Sequence, residues 1–185
     1  MLKGKVNSAI VIGLLQLACT SQPIVRCEAG DWFQQGFQDA LFGKTSESIQ
    51  EYQQTCQSAG VTVDDKKYNL GFRNGLRRFC QPRYGYEFGL QGQEYKKTCT
   101  QKRESAFLDK YFAGRRQFLR DEISDKKGLV ESITEDLTFK ERELASVTTD
   151  HKNPLSDDIN KLRERREKIK DEITRLAKEL HALGK

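Results

Sequence analysis

The sequence predicts an all-α protein: a small disulfide-stapled helical domain followed by a long antiparallel helical hairpin. Three observations carry this. An aromatic-x-x-Gly unit recurs through the first two thirds, four cysteines are spread over the same region, and the last third is charged, glycine-poor and ordered in heptads. Composition changes sharply near residue 120, since the only Trp, every Tyr and nearly every Gly lie before it. A domain over 31–120 and a two-helix coiled coil over 121–185 follow from that break.

The first nineteen residues, MLKGKVNSAIVIGLLQLAC, read as a bacterial export signal. Lys3 and Lys5 form a basic start, and the apolar run from Ala9 to Ala18 is shorter than the about 20 residues a membrane-spanning helix needs. Leu17-Ala18-Cys19 resembles the end of a lipobox, which makes 1–18 the signal peptide, Cys19 the lipid-attachment residue and 19–30 an anchor and linker. Gln16 stands where an aliphatic or small residue is usual, so cleavage to a soluble periplasmic product is the alternative. With Thr20 rather than an inner-membrane-retention aspartate after the cysteine, the expected location is the periplasmic face of the outer membrane.

Beyond Cys19 the cysteines are Cys27, Cys56, Cys80 and Cys99. An even set of four in an oxidising compartment suggests two disulfides, with three possible connectivities. A zinc site is disfavoured, because no C-x-x-C pair exists and both histidines, His151 and His181, lie in the tail. No metal or cofactor is expected.

The recurring units are FQQGFQDAL (33–41), YNLGFRNGL (68–76), YEFGLQGQEY (86–95) and a weaker YFAGRRQFL (111–119). Gly36 with Ala40, and Gly71 with Gly75, place small residues four apart on one helix face, where two backbones can approach closely. That packing offsets the about 1 kcal/mol that each helical glycine costs relative to alanine. Gly89 and Gly92 belong either to the same kind of packing or to a loop after Pro82 and Gly85. Between the units, Thr45 or Ser46 is placed to cap one helix and Asp64 or Asp65 the next. An antiparallel pair of the first two helices would bring Cys27 near Cys56. A helix over 86–97 would hold Cys80 and Cys99 too far apart to bond, so connectivity stays open.

In the tail, Ile123, Val130, Leu137 and Leu144 recur by seven, as do Leu155, Leu162, Ile169, Leu176 and Leu183. Both seams run among Glu, Lys and Arg, the coiled-coil pattern, with a turn near 148–154. Pro154 is expected to open the second helix with Asn153 as its cap. A self-folded hairpin and an intermolecular coiled coil both fit these heptads. Arg166 on the second seam argues against a very tight zipper.

CEAGDWFQQGFQDALFG, YNLGFRNGLRRFCQPRYGYEFGLQGQEYKKTC and FLDKYFAGRRQF together resemble the Domain of Unknown Function 2799 family of proteobacterial lipoproteins, over about residues 27–120. Ala40 departs from an expected Asp-Gly but keeps a small residue there. The resemblance implies an address and a fold rather than a reaction, and the coiled coil is additional to the family core.

Catalytic chemistry finds little support. The domain has no histidine to activate a Ser or Cys nucleophile. Asp31, Asp39, Glu87 and Glu94 read as solvated faces or helix caps rather than a catalytic pair, and the glycines lack a phosphate-loop context. The expected role is therefore a non-catalytic envelope lipoprotein, acting as a structural or protein-interaction module through its coiled coil, with homo-oligomerisation possible. The alternative is a binding module for an anionic envelope component, lipopolysaccharide or peptidoglycan, through Arg73, Arg77, Arg78, Arg83, Lys96 and Lys97, with Lys102 and Arg103 nearby. Residues 20–120 hold 16 Lys+Arg against 11 Asp+Glu, an excess too mild for a nucleic-acid protein.

Overall fold

The computed structural model describes Cys27, residues 30–147 and residues 149–184, those from 149 to 153 by backbone alone. The signal, Cys19 and most of the linker lie outside the described residues. Six helices and no strand are present among the described residues: α1 (Trp32–Leu41), α2 (Ser48–Ser58), α3 (Asp65–Phe79), α4 (Pro82–Leu90), α5 (Gln101–Ser146) and α6 (Thr149–Ala182). The fold class is all-α, and none of these helices is long and apolar enough to cross a membrane.

Local signals set most boundaries. The Asp31 side chain accepts from the Gln34 N–H to start α1, and the Asp64 side chain accepts from the Lys67 N–H to start α3. Pro82 opens α4 at a position whose N–H has no helical partner to lose. The cap expected at Thr45 or Ser46 is displaced: α2 starts at Ser48, and Glu47 in the cap position makes no side-chain cap hydrogen bond.

Two parallel helix pairs form the domain. Gly71 meets Phe33 and Gly75 meets Phe37, so α1 and α3 advance in the same direction. Gly85 meets Phe107 and Gly89 meets Tyr111, so α4 and α5 do likewise. Parallel neighbours need a return segment. In the first pair α2 supplies it, and in the second the non-helical residues 91–100 supply it. Each pair is closed by a disulfide between a cysteine preceding its first helix and one near the end of its return segment. Cys27 bonds Cys56 and Cys80 bonds Cys99, with Cα atoms 5.2 and 5.6 Å apart. On the chain-entropy account each contributes about 3 kcal/mol.

The second disulfide corrects the geometric objection raised from the sequence. Helix α4 stops at Leu90 instead of continuing to 97, because Gly92 takes φ +73° and ends it. The chain then turns back and returns Cys99 to the start of α4. Gly92 is thus a helix stop rather than a helix-packing residue, and an added Cβ there would meet the Phe118 ring.

The division near residue 120 is not a break in the backbone. Helix α5 runs unbroken from the domain into the hairpin, 46 residues spanning about 70 Å. Its first turns pack on α4, and its later turns pack on α6, where Ile133, Leu137, Ile159 and Ile169 form a separate core. The hairpin closes within one chain. Pro154 lies inside α6, which starts at Thr149, so the expected Asn153 cap is not the start of that helix.

Candidate functional site

The sequence groups eight basic residues, and the structure separates them. Arg73 and Arg77 on α3 and Lys102 and Arg103 on α5 stand exposed around one depression of about 370 Å³. The Arg103 side chain donates to the Arg77 carbonyl oxygen at 3.3 Å, linking the two helices across it. Arg78 is turned away, donating to the Tyr84 hydroxyl at 2.7 Å and lying over its ring. Arg83 is paired with Glu87 at 2.9 Å, four residues on along α4. Lys96 and Lys97 project from the return segment, where Lys97 adopts φ +55°. Only half of the cluster therefore converges on a common volume.

A second constellation was not expected. Asp39, read from the sequence as one of several solvated or capping carboxylates, is 2 % exposed in the first core. One carboxylate oxygen accepts from the Tyr52 hydroxyl at 2.7 Å and the Tyr68 hydroxyl at 2.9 Å. The other accepts from the Gln35 amide and the Lys44 ammonium, both at 3.0 Å. The two tyrosine donors belong to the first core with Trp32 and Phe72, Gln35 and Lys44 complete the set from its edge, and the charge is fully hydrogen-bonded. The sequence held a faint signal, because an aspartate on the small-residue face of α1 cannot reach water once α3 closes on it. The remaining carboxylates behave as expected: Asp31 caps α1, and Glu87 and Glu94 are at the surface.

Burial, and then the Asp39 charge beside it, raise the Tyr68 hydroxyl above the phenol range. Burial raises Tyr52 as well, against the opposing Lys44 hydrogen bond, and the Asp39 contacts add to the rise. For Lys44 burial opposes the charge, but hydrogen bonds to Tyr52 and Asp39 win and hold its ammonium above the usual value. In the second core Tyr95 is pushed up to about 12, chiefly by burial, while its hydroxyl donates to Glu104 and accepts from the Cys99 N–H. The folded chain keeps these protons at a pH where unfolded tyrosine, near 10, has lost them. Stability is then complete below about pH 10 and falls as pH rises toward 12 and beyond. Urea midpoints are expected to be level from pH 8 to about 9.5 and to drop above 10. Ionisation of all six tyrosines near pH 10 with the fold intact would contradict this.

Residues 31–116 match a family model described as a protein of unknown function, DUF2799. This segment is a DUF2799 domain. No curated protein and no solved structure matches the chain. The DUF2799 domain ends inside α5, two residues past Gly114, so both reciprocal helix pairs fall within it and the hairpin is an extension of its last helix.

Helix packing within the DUF2799 domain is reciprocal. A Cβ on Gly36 would strike the Tyr68 carbonyl and one on Gly71 the Phe33 carbonyl, both well inside 3.0 Å. In the second pair Gly89 stands over the Tyr111 carbonyl and Gly114 over the Tyr86 carbonyl. The aromatic residue of each unit thus presents its carbonyl to the glycine of the other. Ala40 faces Gly75, and Gly85, read as turn punctuation, packs on the Phe107 carbonyl inside α4.

The hairpin is pinned back onto the domain at its base. The Arg115 guanidinium reaches Glu179 on α6 through two nitrogens, at 2.8 and 2.6 Å, donates to the Gly92 carbonyl and covers the Phe118 ring. Among the described residues no group of three His, Cys, Asp or Glu could hold a metal ion.

Proposed function

We propose that the protein is a non-catalytic lipoprotein of the bacterial envelope, anchored through Cys19 on the periplasmic face of the outer membrane, that serves as a structural or protein-interaction module. The observation that supports this reading most is α5. One helix belongs to both the disulfide-closed domain and the hairpin, and Arg115 ties the returning end of α6 to the domain. A rod held this way transmits position without a flexible joint, the property required for presenting a docking surface at a distance from an anchor. Phe139, 70 % exposed, stands on the side of α5 away from the α5–α6 core, where a partner helix can cover it.

The test is a photo-crosslinking residue at Phe139 in intact cells, with intact-mass analysis of the mature chain. A discrete adduct with an envelope protein and a diacylated or triacylated Cys19 are expected. Absence of any adduct above background, or a chain cut elsewhere than before Cys19, would count against the reading.

A second reading rests on the four converging cations. Arg73, Arg77, Lys102 and Arg103 suit the DUF2799 domain to binding an anionic envelope component such as lipopolysaccharide or peptidoglycan.

A further inference from the structure

We infer that the depression between the last turns of α3 and the first turn of α5 binds a phosphate-bearing amphiphile, a small anionic head joined to an apolar body. This rests on the second reading above and names its ligand class. The volume, about 370 Å³, falls in the range of small-molecule sites. Its floor is apolar, formed by Leu76 and by Cys80 of the Cys80–Cys99 bridge, and its rim is Arg73, Arg77, Lys102 and Arg103.

Charge is the first argument. Among the described residues none of the four has a carboxylate within 4.0 Å, so the positive charge around the depression is uncompensated. Like charges gathered around an apolar floor repel one another until an anion arrives. Helix electrostatics does not account for them. Arg77 suits the C-terminal turn of α3, but Lys102 and Arg103 occupy the first turn of α5, where cations are disfavoured.

Geometry and chemistry narrow the ligand. The Arg103–Arg77 carbonyl hydrogen bond positions one guanidinium across the rim while leaving its other N–H groups free. Three guanidinium forks and one ammonium match the several oxygens and more than one negative charge of a phosphate better than a single carboxylate. The apolar floor adds nothing for a bare hydrated phosphate. A ligand that also carries an apolar portion gains by displacing water from Leu76 and the disulfide. The bridge holds the end of α3 beside the start of α5, so the site is shaped before the ligand binds.

The experiment is calorimetric titration of the full mature chain, at low salt and below micelle-forming concentrations. The probes are dihexanoyl phosphatidic acid, inorganic phosphate and uncharged dihexanoylglycerol. Dihexanoyl phosphatidic acid is expected to bind at least tenfold more tightly than either of the others. Arg73→Gln with Arg103→Gln, both at exposed positions, should weaken it at least tenfold with helical content unchanged, while Arg83→Gln with Lys97→Gln should not. Equal affinity for inorganic phosphate would overturn the amphiphile, and indifference to the Arg73 and Arg103 changes would overturn the site. If the chain ignores all three probes yet still co-sediments with peptidoglycan, whose charges are carboxylates, the inference fails and the broader reading stands. If it also fails to co-sediment, both fall.

Discussion

Gly71→Ala is expected to destabilise the protein by about 2–3 kcal/mol, even though alanine is the better helix former by about 1 kcal/mol. The new Cβ would fall on the Phe33 carbonyl, with the Phe33 Cα also near 3.0 Å. Backbone cannot rotate aside as a side chain can, so α1 and α3 must separate, and Tyr68, Phe72 and Trp32 lose packing together. Gly128→Ala provides the opposing result. Gly128 lies inside α5 with nothing within 4 Å of an added Cβ, so there the propensity gain of up to about 1 kcal/mol appears unopposed. Urea unfolding of the two variants checks both signs. Equal effects in the two places would mean that glycine in α3 is not there for close packing. Because Gly36 and Gly71 occupy the same crossing, Gly36→Ala with Gly71→Ala should cost less than the sum of the single changes, since the first already spreads the helices.

Asp39→Ala is expected to cost about 3–5 kcal/mol, the range for removing one member of a buried charged cluster. The loss is only partly the missing bonds. Tyr52 and Tyr68 would keep buried hydroxyls without their acceptor, and Lys44, held by Asp39 at 3.0 Å, would lose its counter-charge. Asp39→Asn keeps an oxygen for the tyrosines but turns an N–H₂ toward Gln35 and Lys44, so a smaller loss of about 1–3 kcal/mol is expected. Tyr68→Phe removes one donor and leaves the carboxylate with three, the mildest of the set. Denaturant midpoints at neutral pH decide the order. A loss under about 1 kcal/mol for Asp39→Ala would show that water replaces the carboxylate and that the network does not hold the first core together.

These two sites differ in how far the sequence disclosed them. The glycines at 36, 71 and 75 were visible because small residues four apart in an aromatic setting have few other uses in a helix. What could not be seen was the partner. Pairing Gly36 with the Tyr68 carbonyl requires α1 and α3 to be parallel neighbours, and that depends on α2 returning between them. Gly89 and Gly92 look alike on paper. One packs on the Tyr111 carbonyl and the other ends α4 at φ +73°, a difference set by where the helix stops. Asp39 was missed for a related reason: its four donors come from sequence separations of 4 to 29 residues, which no local pattern joins.

By itself the sequence determined the all-α class, the domain family, a cap for α3 at Asp64 or Asp65, and the two-helix tail. Each of these rests on signals within a few residues or on a sustained period, such as a carboxylate three ahead of a free N–H or leucines every seventh position. Tertiary structure alone decided which cysteines pair, that α5 runs through the compositional break, that the hairpin closes on its own chain, and which four cations meet. For the pairings and the convergence of cations the physical reason is the same. A return segment brings distant residues together only after the helices on either side have packed, and local propensity carries no record of that packing.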